Sequence, residues 1–251
     1  MKEKRQYDPK SYWDEKARRA GTNFEAAVCY DDPLTNEIID RVQRRFMRRA
    51  LAQIVQRTSL RKKRVLDYGC GTGRWVDFFR SYGLRYSGVD LSSEMVRLAS
   101  ERFSGTSFQA LDGRDLPFAP LTFDLVCSIA VIHHNPYPQQ QSILVQLNRV
   151  LKPGGFLVLF ESIGALEPEG ALEFPRPTEN WDAALTDLGM ISLWSRETRY
   201  FATQAVLDKL VGQKRLNAVS GRLGLLLDPY LGSVVPPRHR TRGAMVFQKL
   251  C

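Results

Sequence analysis

The chain has 251 residues, 43% of them hydrophobic, with 36 lysines and arginines against 27 acids and a formal net charge of +9. That length and apolar content suit one α/β-sized domain with a real core. No uninterrupted apolar run reaches the roughly 18 residues of a membrane-spanning helix, and the four cysteines (29, 70, 127 and 251) form no C-x-x-C pair and have no histidine at zinc-ligand spacing. The charged start, Met1-Lys2-Glu3-Lys4-Arg5, does not read as a signal peptide, and a reduced, cytoplasmic setting is expected.

Residues 7–30 scatter Tyr7, Tyr12, Trp13 and Phe24 among charges. Asp32-Pro33 then signals a helix start, with Asp32 as N-cap and Pro33 in the first turn. Leu34, Ile38, Val42, Phe46 and Ile54 fall at helical spacing, and Ile39, Met47 and Leu51 widen the stripe. Arginines take much of the opposite side, and residues 1–64 hold 17 basic residues against 9 acids. Such a surface attracts nucleic acid or acidic partners, but no RNA-binding module or interleaved aromatic-basic pattern accompanies it, so a solvated helix face is the plainer reading.

Val65-Leu66-Asp67-Tyr68-Gly69-Cys70-Gly71-Thr72-Gly73-Arg74-Trp75 follows: two apolar β-formers, an acid, alternating glycines, then an amphipathic run to Gly83. Strand, glycine turn and helix bring a ligand close to backbone N–H groups at the carboxyl end of a sheet. A dinucleotide fingerprint would place glycine where Arg74 stands. The G-x-G-x-G spacing, with an acid two residues before, suits a ligand with a cationic end and repels a pyrophosphate. Arg74 either meets a ligand carboxylate or points to solvent. Tyr86 to Leu91 reads as a second strand ending in Asp90, placed to hold a ribose diol. Ser92 caps the next helix, Thr106 to Ala110 is a short third strand, and Phe123 to Val131 is a buried fourth strand. A helix over Pro138 to Leu151 and a fifth strand over Phe156 to Phe160 complete the alternation. Residues 162–200, with three prolines, several acids, Trp181 and Trp194, are far longer than a direct connection needs and read as functional. A helix over Thr203 to Val211 and a strand over Arg242 to Lys249 follow, separated by irregular stretches at Leu223–Leu227 and Pro236–Arg240.

The glycine loop and the Asp90 strand end resemble motif I and the following acidic strand end of the class I S-adenosylmethionine-dependent methyltransferases. Leu111 to Phe118 with Phe123 to Val126, and Leu147 to Gly155, are similar to that family's adenine loop, fourth strand and entry to the fifth. The resemblance covers residues 65 to 161. It implies a three-layer Rossmann-like α/β fold, with a seven-stranded, mostly parallel sheet and helices on both faces. Residues 1–64 would form an N-terminal helical cover, 65–161 the cofactor core, 162–202 a lid after strand 5, and 203–251 the last part of the sheet. The implied cofactor is S-adenosyl-L-methionine. Asp67 would act through its charge on the cofactor's amino-acid end, beside the backbone of Gly69, Cys70, Gly71 and Gly73. Asp90 would bind the ribose, Leu91 and Met95 would flank the adenine, and Asp112 with the Gly113 N–H would read its edge. Ser128 or Ile129 would offer a backbone carbonyl to the cofactor's ammonium, and Tyr12, in the N-terminal cover, would contact the cofactor.

Two of the three histidines are adjacent, in Ile132-His133-His134-Asn135-Pro136 after the fourth strand. This is similar to the L-H-H of many small-molecule methyltransferases; in some O-methyltransferases acting on sugars and other natural products, a histidine here works with an acid after the fifth strand. Glu161 holds that place, and a carboxylate on an imidazole fixes its tautomer and raises its basicity. His133, His134 and Glu161 are therefore the catalytic candidates. The expected acceptor is a hydroxyl of a sugar-containing or other secondary metabolite. The alternatives are an RNA or protein acceptor, given the basic helix, and a non-catalytic cofactor-binding subunit.

Overall fold

The computed structural model describes residues 8–20, 33–113, 115–164, 173–199 and 241–250. Two helices lead in, α1 (Pro9–Ala20) and α2 (Pro33–Val55). Then come β1 (Arg64–Tyr68), α3 (Val76–Ser81), β2 (Arg85–Asp90), α4 (Ser93–Arg102), β3 (Ser107–Ala110) and β4 (Phe123–Ile129). A 3-10 turn (Ile132–His134) precedes α5 (Tyr137–Val150), β5 (Leu151–Ser162), α6 (Thr178–Thr186), β6 (Met190–Arg199) and β7 (Thr241–Lys249). The sheet order is β3-β2-β1-β4-β5-β7-β6, parallel except where β7 runs against both β5 and β6.

Alternation along the strands separates two cores. Leu66, Val126, Leu157 and Phe247 stand in register on one face, buried with α5 and α6. One residue on, Cys127, Val158 and Val246 face the other side, where α2 and α3 pack. In α2 the predicted stripe is the buried one: Ile38, Ile39, Phe46, Met47, Leu51 and Ile54 are covered and Val42 half-covered. The parallel strands end together, and the chain reverses direction across the sheet between β1 and β4. That crossing is where an open α/β sheet leaves a crevice for a ligand.

Several boundaries differ from the sequence reading. β4 stops at Ile129 because Ala130 turns left-handed (φ 60°) and its N–H is drawn to Phe160 O. β5 runs from Leu151 to Ser162, longer at both ends, because Leu151 pairs with Phe123 and Ser162 with Arg242. Glu161 thus lies within β5 instead of after it. The stretch read as a lid over 162–202 contains α6, whose Trp181 and Leu185 are fully buried in the core, and the edge strand β6. Those tryptophan-bearing segments build the sheet and its cover, β6 through its pairing with β7 and α6 through the burial of Trp181. The Asp32 cap, Tyr7, Phe24, the helix over 203–211 and the stretches 223–227 and 236–240 lie outside the described residues. Among the described residues, no helix is long and apolar enough to cross a membrane, and no cluster of metal-ligating side chains occurs.

Candidate active site

The glycine loop is tied down from both sides. The Gly69 and Cys70 N–H groups both donate to Val89 O, at 2.8 and 3.0 Å. The Gly71 N–H donates to Asp90 Oδ2 at 2.8 Å, while the Ser92 N–H donates to Asp90 Oδ1 at 2.9 Å. Gly69 (φ 76°) and Gly71 (φ 52°) hold left-handed backbone that side chains disfavour. They differ in surroundings. A Cβ on Gly69 would meet Val131 at 2.2 Å, whereas a Cβ on Gly71 would meet nothing within 4 Å. Space bounded by a loop backbone and a half-exposed carboxylate is the feature a nucleoside needs: each Asp90 oxygen has one backbone donor and retains capacity for a hydroxyl. Burial raises the Asp90 pKa, opposed by the Ser92 and Gly71 N–H bonds. Leu111 N–H donates to Asp90 O, which sets the exposed Asp112 and Gly113 beside the same strand end. The Gly113 surroundings are open as well. These residues fit an adenosyl cofactor.

Other candidates are placed differently. Asp67 is buried, accepting the Tyr86 hydroxyl at 2.6 Å and the Cys127 thiol at 3.6 Å, so its carboxylate lies beneath the loop and not along the ligand space. Burial pushes its pKa up to about 6, with the Tyr86 hydroxyl opposing. The Cys70 side chain turns into the core under the loop, against Gly88. Met95 is packed with Leu98 and with Ala17 of α1. Leu91 is half-buried against the opposite core. Tyr12 is 40% exposed, edge-on to Trp13. Ser128 sits mid-sheet with its hydroxyl donated to Glu161 at 2.8 Å, because β4 and β5 bring the two side chains to one face. Gly73 (φ 77°) packs against Phe103 and Phe108. Arg74 neither reaches a ligand nor points to solvent: it pairs with Asp40 and Gln43 of α2 at 2.6 Å each and lies over Trp75.

The histidines divide between them what one ring was expected to do. His133 Nδ1 is 2.6 Å from Glu161 Oε2, and both side chains are 0% exposed. Its Nε2 faces Arg242 Nη1 at 3.4 Å. Burial holds the His133 pKa well below the usual imidazole range, and the neighbouring His134 and Arg242 add to this. Burial raises Glu161 to about 7 against the Ser128 hydroxyl and the backbone N–H groups of the 131–133 turn. His134 stacks on His133 with ring centroids 4.3 Å apart, is half-exposed, and meets the edge of Trp13 from α1. Beside this pair, Phe174 N–H donates to His133 O, and Gln140 Nε2 and the Tyr137 hydroxyl donate to Phe174 O and Pro175 O. Residues 173–176 are thereby strapped against the turn.

Three contributors had no signal in the chain. Arg242 and Glu173 reach His133 from 109 and 40 positions away, and no spacing rule links such positions. Asp14 of α1 accepts the Ser92 hydroxyl at 2.6 Å, bringing α1 to the Asp90 strand end.

Residues 65–155 match the protein-family model described as a methyltransferase domain. An O-methyltransferase of Aspergillus nomiae is 28% identical over 155 residues, 58% of this chain and 67% of that protein. A demethylmenaquinone methyltransferase of Streptomyces griseus is 36% identical over 135 residues, 54% of this chain and 56% of that protein. The chain thus spans about half to two thirds of the length of such relatives. Among solved structures, an S-adenosylmethionine-dependent methyltransferase of Mesorhizobium loti superposes with a TM-score of 0.54 at 16% identity, covering 79% of this chain and 96% of that one, which shows a shared fold. Residues 65–155 are thus similar to a methyltransferase domain, carried on a sheet whose fold is shared with an S-adenosylmethionine-dependent methyltransferase of solved structure.

Proposed function

We propose that this chain transfers a methyl group from S-adenosylmethionine to a hydroxyl of a small molecule, such as a sugar-containing or other secondary metabolite. The observation that carries the reading is the imidazole pair at the β1–β4 crossing: one ring is seated on a buried carboxylate, and the other is half-exposed under Trp13. Asp90 holds the ribose hydroxyls, the open backbone of Gly71 admits the cofactor, and Asp112 and Gly113 read the adenine. When bound, the cofactor supplies a methyl group on a cationic sulfur. His134, the ring within reach of a ligand, takes the acceptor's proton, and His133 on Glu161 supports it from below. Residues 1–64 act as a cover through α1, whose Ala17 and Asp14 dock on α4.

A small acceptor is favoured over RNA because part of the charge on the arginine helix is already engaged within the chain: Arg41 pairs with Glu37, Arg44 with Asp40, and Arg49 lies over Phe46. Relatives named as O-methyltransferase and demethylmenaquinone methyltransferase support the same class of acceptor. The test supplies cofactor labelled in its methyl group to the protein with a metabolite extract, total RNA and protein. Label is expected in small molecules, and His134→Ala is expected to keep cofactor affinity while lowering transfer by about 10²–10⁴-fold. Label confined to RNA or protein, or full transfer by His134→Ala, would overturn the proposal.

A further inference from the structure

We propose that Arg242 is a positioning residue that keeps the buried His133 neutral with its proton on Nδ1, leaving proton acceptance to His134. The consequence for turnover rests on the methyltransferase reading above; the protonation state can be measured without turnover.

Arg242 is the second residue of β7, opposite Ser162 in the β5–β7 ladder, and its side chain is 7% exposed. Nη1 lies 3.4 Å from His133 Nε2, and Nη2 donates to Glu173 Oε1 at 3.4 Å. A guanidinium carries donors only, so the ring nitrogen it faces must present a lone pair. The proton then belongs on Nδ1, whose nearest neighbour is Glu161 Oε2 at 2.6 Å. Glu161 is built to accept. Besides Nδ1–H it takes the Ser128 hydroxyl at 2.8 Å and the N–H groups of Val131 and His133 at 3.4 and 3.3 Å. The Ser162 N–H also points at Nδ1, at 3.3 Å, as a donor would; the contact to Glu161 is shorter by 0.7 Å and decides the proton's place, so the Ser162 N–H is the group that yields.

The charged and titratable groups around His133 are Glu161 from β5, Arg242 from β7, Glu173 from the strap and His134 beside it. Of these, Arg242 bears directly on Nε2. Protonating that nitrogen would set an imidazolium N–H against a guanidinium N–H at 3.4 Å. Glu173 holds the guanidinium in place and itself receives the Ser162 hydroxyl at 3.4 Å. The lone pair of His133 is therefore committed to Arg242 and does not face an acceptor. Its ring serves as the platform beneath His134. A buried histidine-carboxylate pair that looks like a base with its orienting acid becomes, with the arginine present, a fixed support.

The experiment is ¹⁵N nuclear magnetic resonance of the histidine rings, in the full chain, from pH 8 to pH 5.5. The three histidines are assigned by single substitutions. His133 is expected to show the Nδ1–H tautomer and not to titrate. Arg242→Gln is expected to raise its apparent pKa by about one unit or more, as loss of a like charge within ~4–6 Å does, and to release the tautomer preference. Arg242→Lys, which keeps charge and donors, is expected to behave as the wild type. An Nε2–H tautomer in the wild type would overturn the proposal, even should Arg242→Gln fail to fold. An unchanged tautomer and titration in folded Arg242→Gln would overturn it too. Should the ring signals behave as expected while no acceptor is ever methylated, the functional reading fails and the role of Arg242 stands.

Discussion

Alanine at Gly69 and alanine at Gly71 are expected to injure different properties of the molecule, although the two positions are two residues apart in one loop. Both hold left-handed backbone, which costs an alanine about 1–2 kcal/mol. At Gly71 that is the whole expense to the fold, since no atom lies within 4 Å of the new methyl group. At Gly69 the methyl would stand 2.2 and 2.8 Å from the two Val131 methyl carbons, well inside van der Waals contact. Relief requires moving Val131 or the loop, an overpacking penalty of about 1–3 kcal/mol, for a combined loss of roughly 2–5 kcal/mol. Urea unfolding of the ligand-free protein should separate the two variants. Val131→Ala added to Gly69→Ala should recover a coupling of about 1–3 kcal/mol. Calorimetric titration with cofactor should give the reverse order of severity per unit of lost stability: Gly71→Ala folds nearly as well as wild type but fills the ligand space and binds poorly. Native affinity in Gly71→Ala, or equal destabilisation by the two substitutions with no rescue through Val131, would refute the assignment of this loop.

Asp90→Ala should weaken cofactor binding by about 1.5–3 kcal/mol, the range for hydrogen bonds to a charged group, because it removes the diol partner and frees the Gly71 and Ser92 N–H groups; calorimetry checks it. Asp67, raised to about 6 from 3.8, holds its proton more tightly folded than unfolded. Its contribution is therefore complete below pH ~4 and is lost as pH rises through ~6, on the order of 3 kcal/mol. Stability curves of Asp67→Asn should lack that fall, and parallel curves for the two proteins would contradict it. Asp67→Asn should also cost the cofactor less affinity than Asp90→Ala, since Asp67 is engaged by Tyr86 below the loop. Ser92→Ala should lower stability by about 1–2 kcal/mol in chemical denaturation, through loss of the α4 cap on Met95 N and of the bond to Asp14.

Much of the core was legible because it is local. Hydrophobic runs bounded by turns marked β1, β2, β3 and β4. The 3.6-residue stripe from Ile38 to Ile54 marked the buried side of α2. Alternating glycines after an acid marked the turn that follows β1, and Asp90 marked the end of β2 beside it. What the sequence left open depends on pairs distant along the chain. Arg74 read as a ligand residue or a solvent-facing one because nothing in the sequence tells that Asp40 and Gln43 await it on α2. The docking of Ala17 from α1 on Met95 cannot be seen locally either. Residues 178–199 read as a lid because β6 becomes a strand only by pairing with β7, more than forty residues further on. The two histidines are equivalent as neighbours in a sequence. Only tertiary structure distinguishes them, by closing Glu161, Arg242 and Glu173 around one ring and leaving the other beside Trp13. Composition and periodicity record which side chains avoid water; charge partners and protonation states are decided by which surfaces meet.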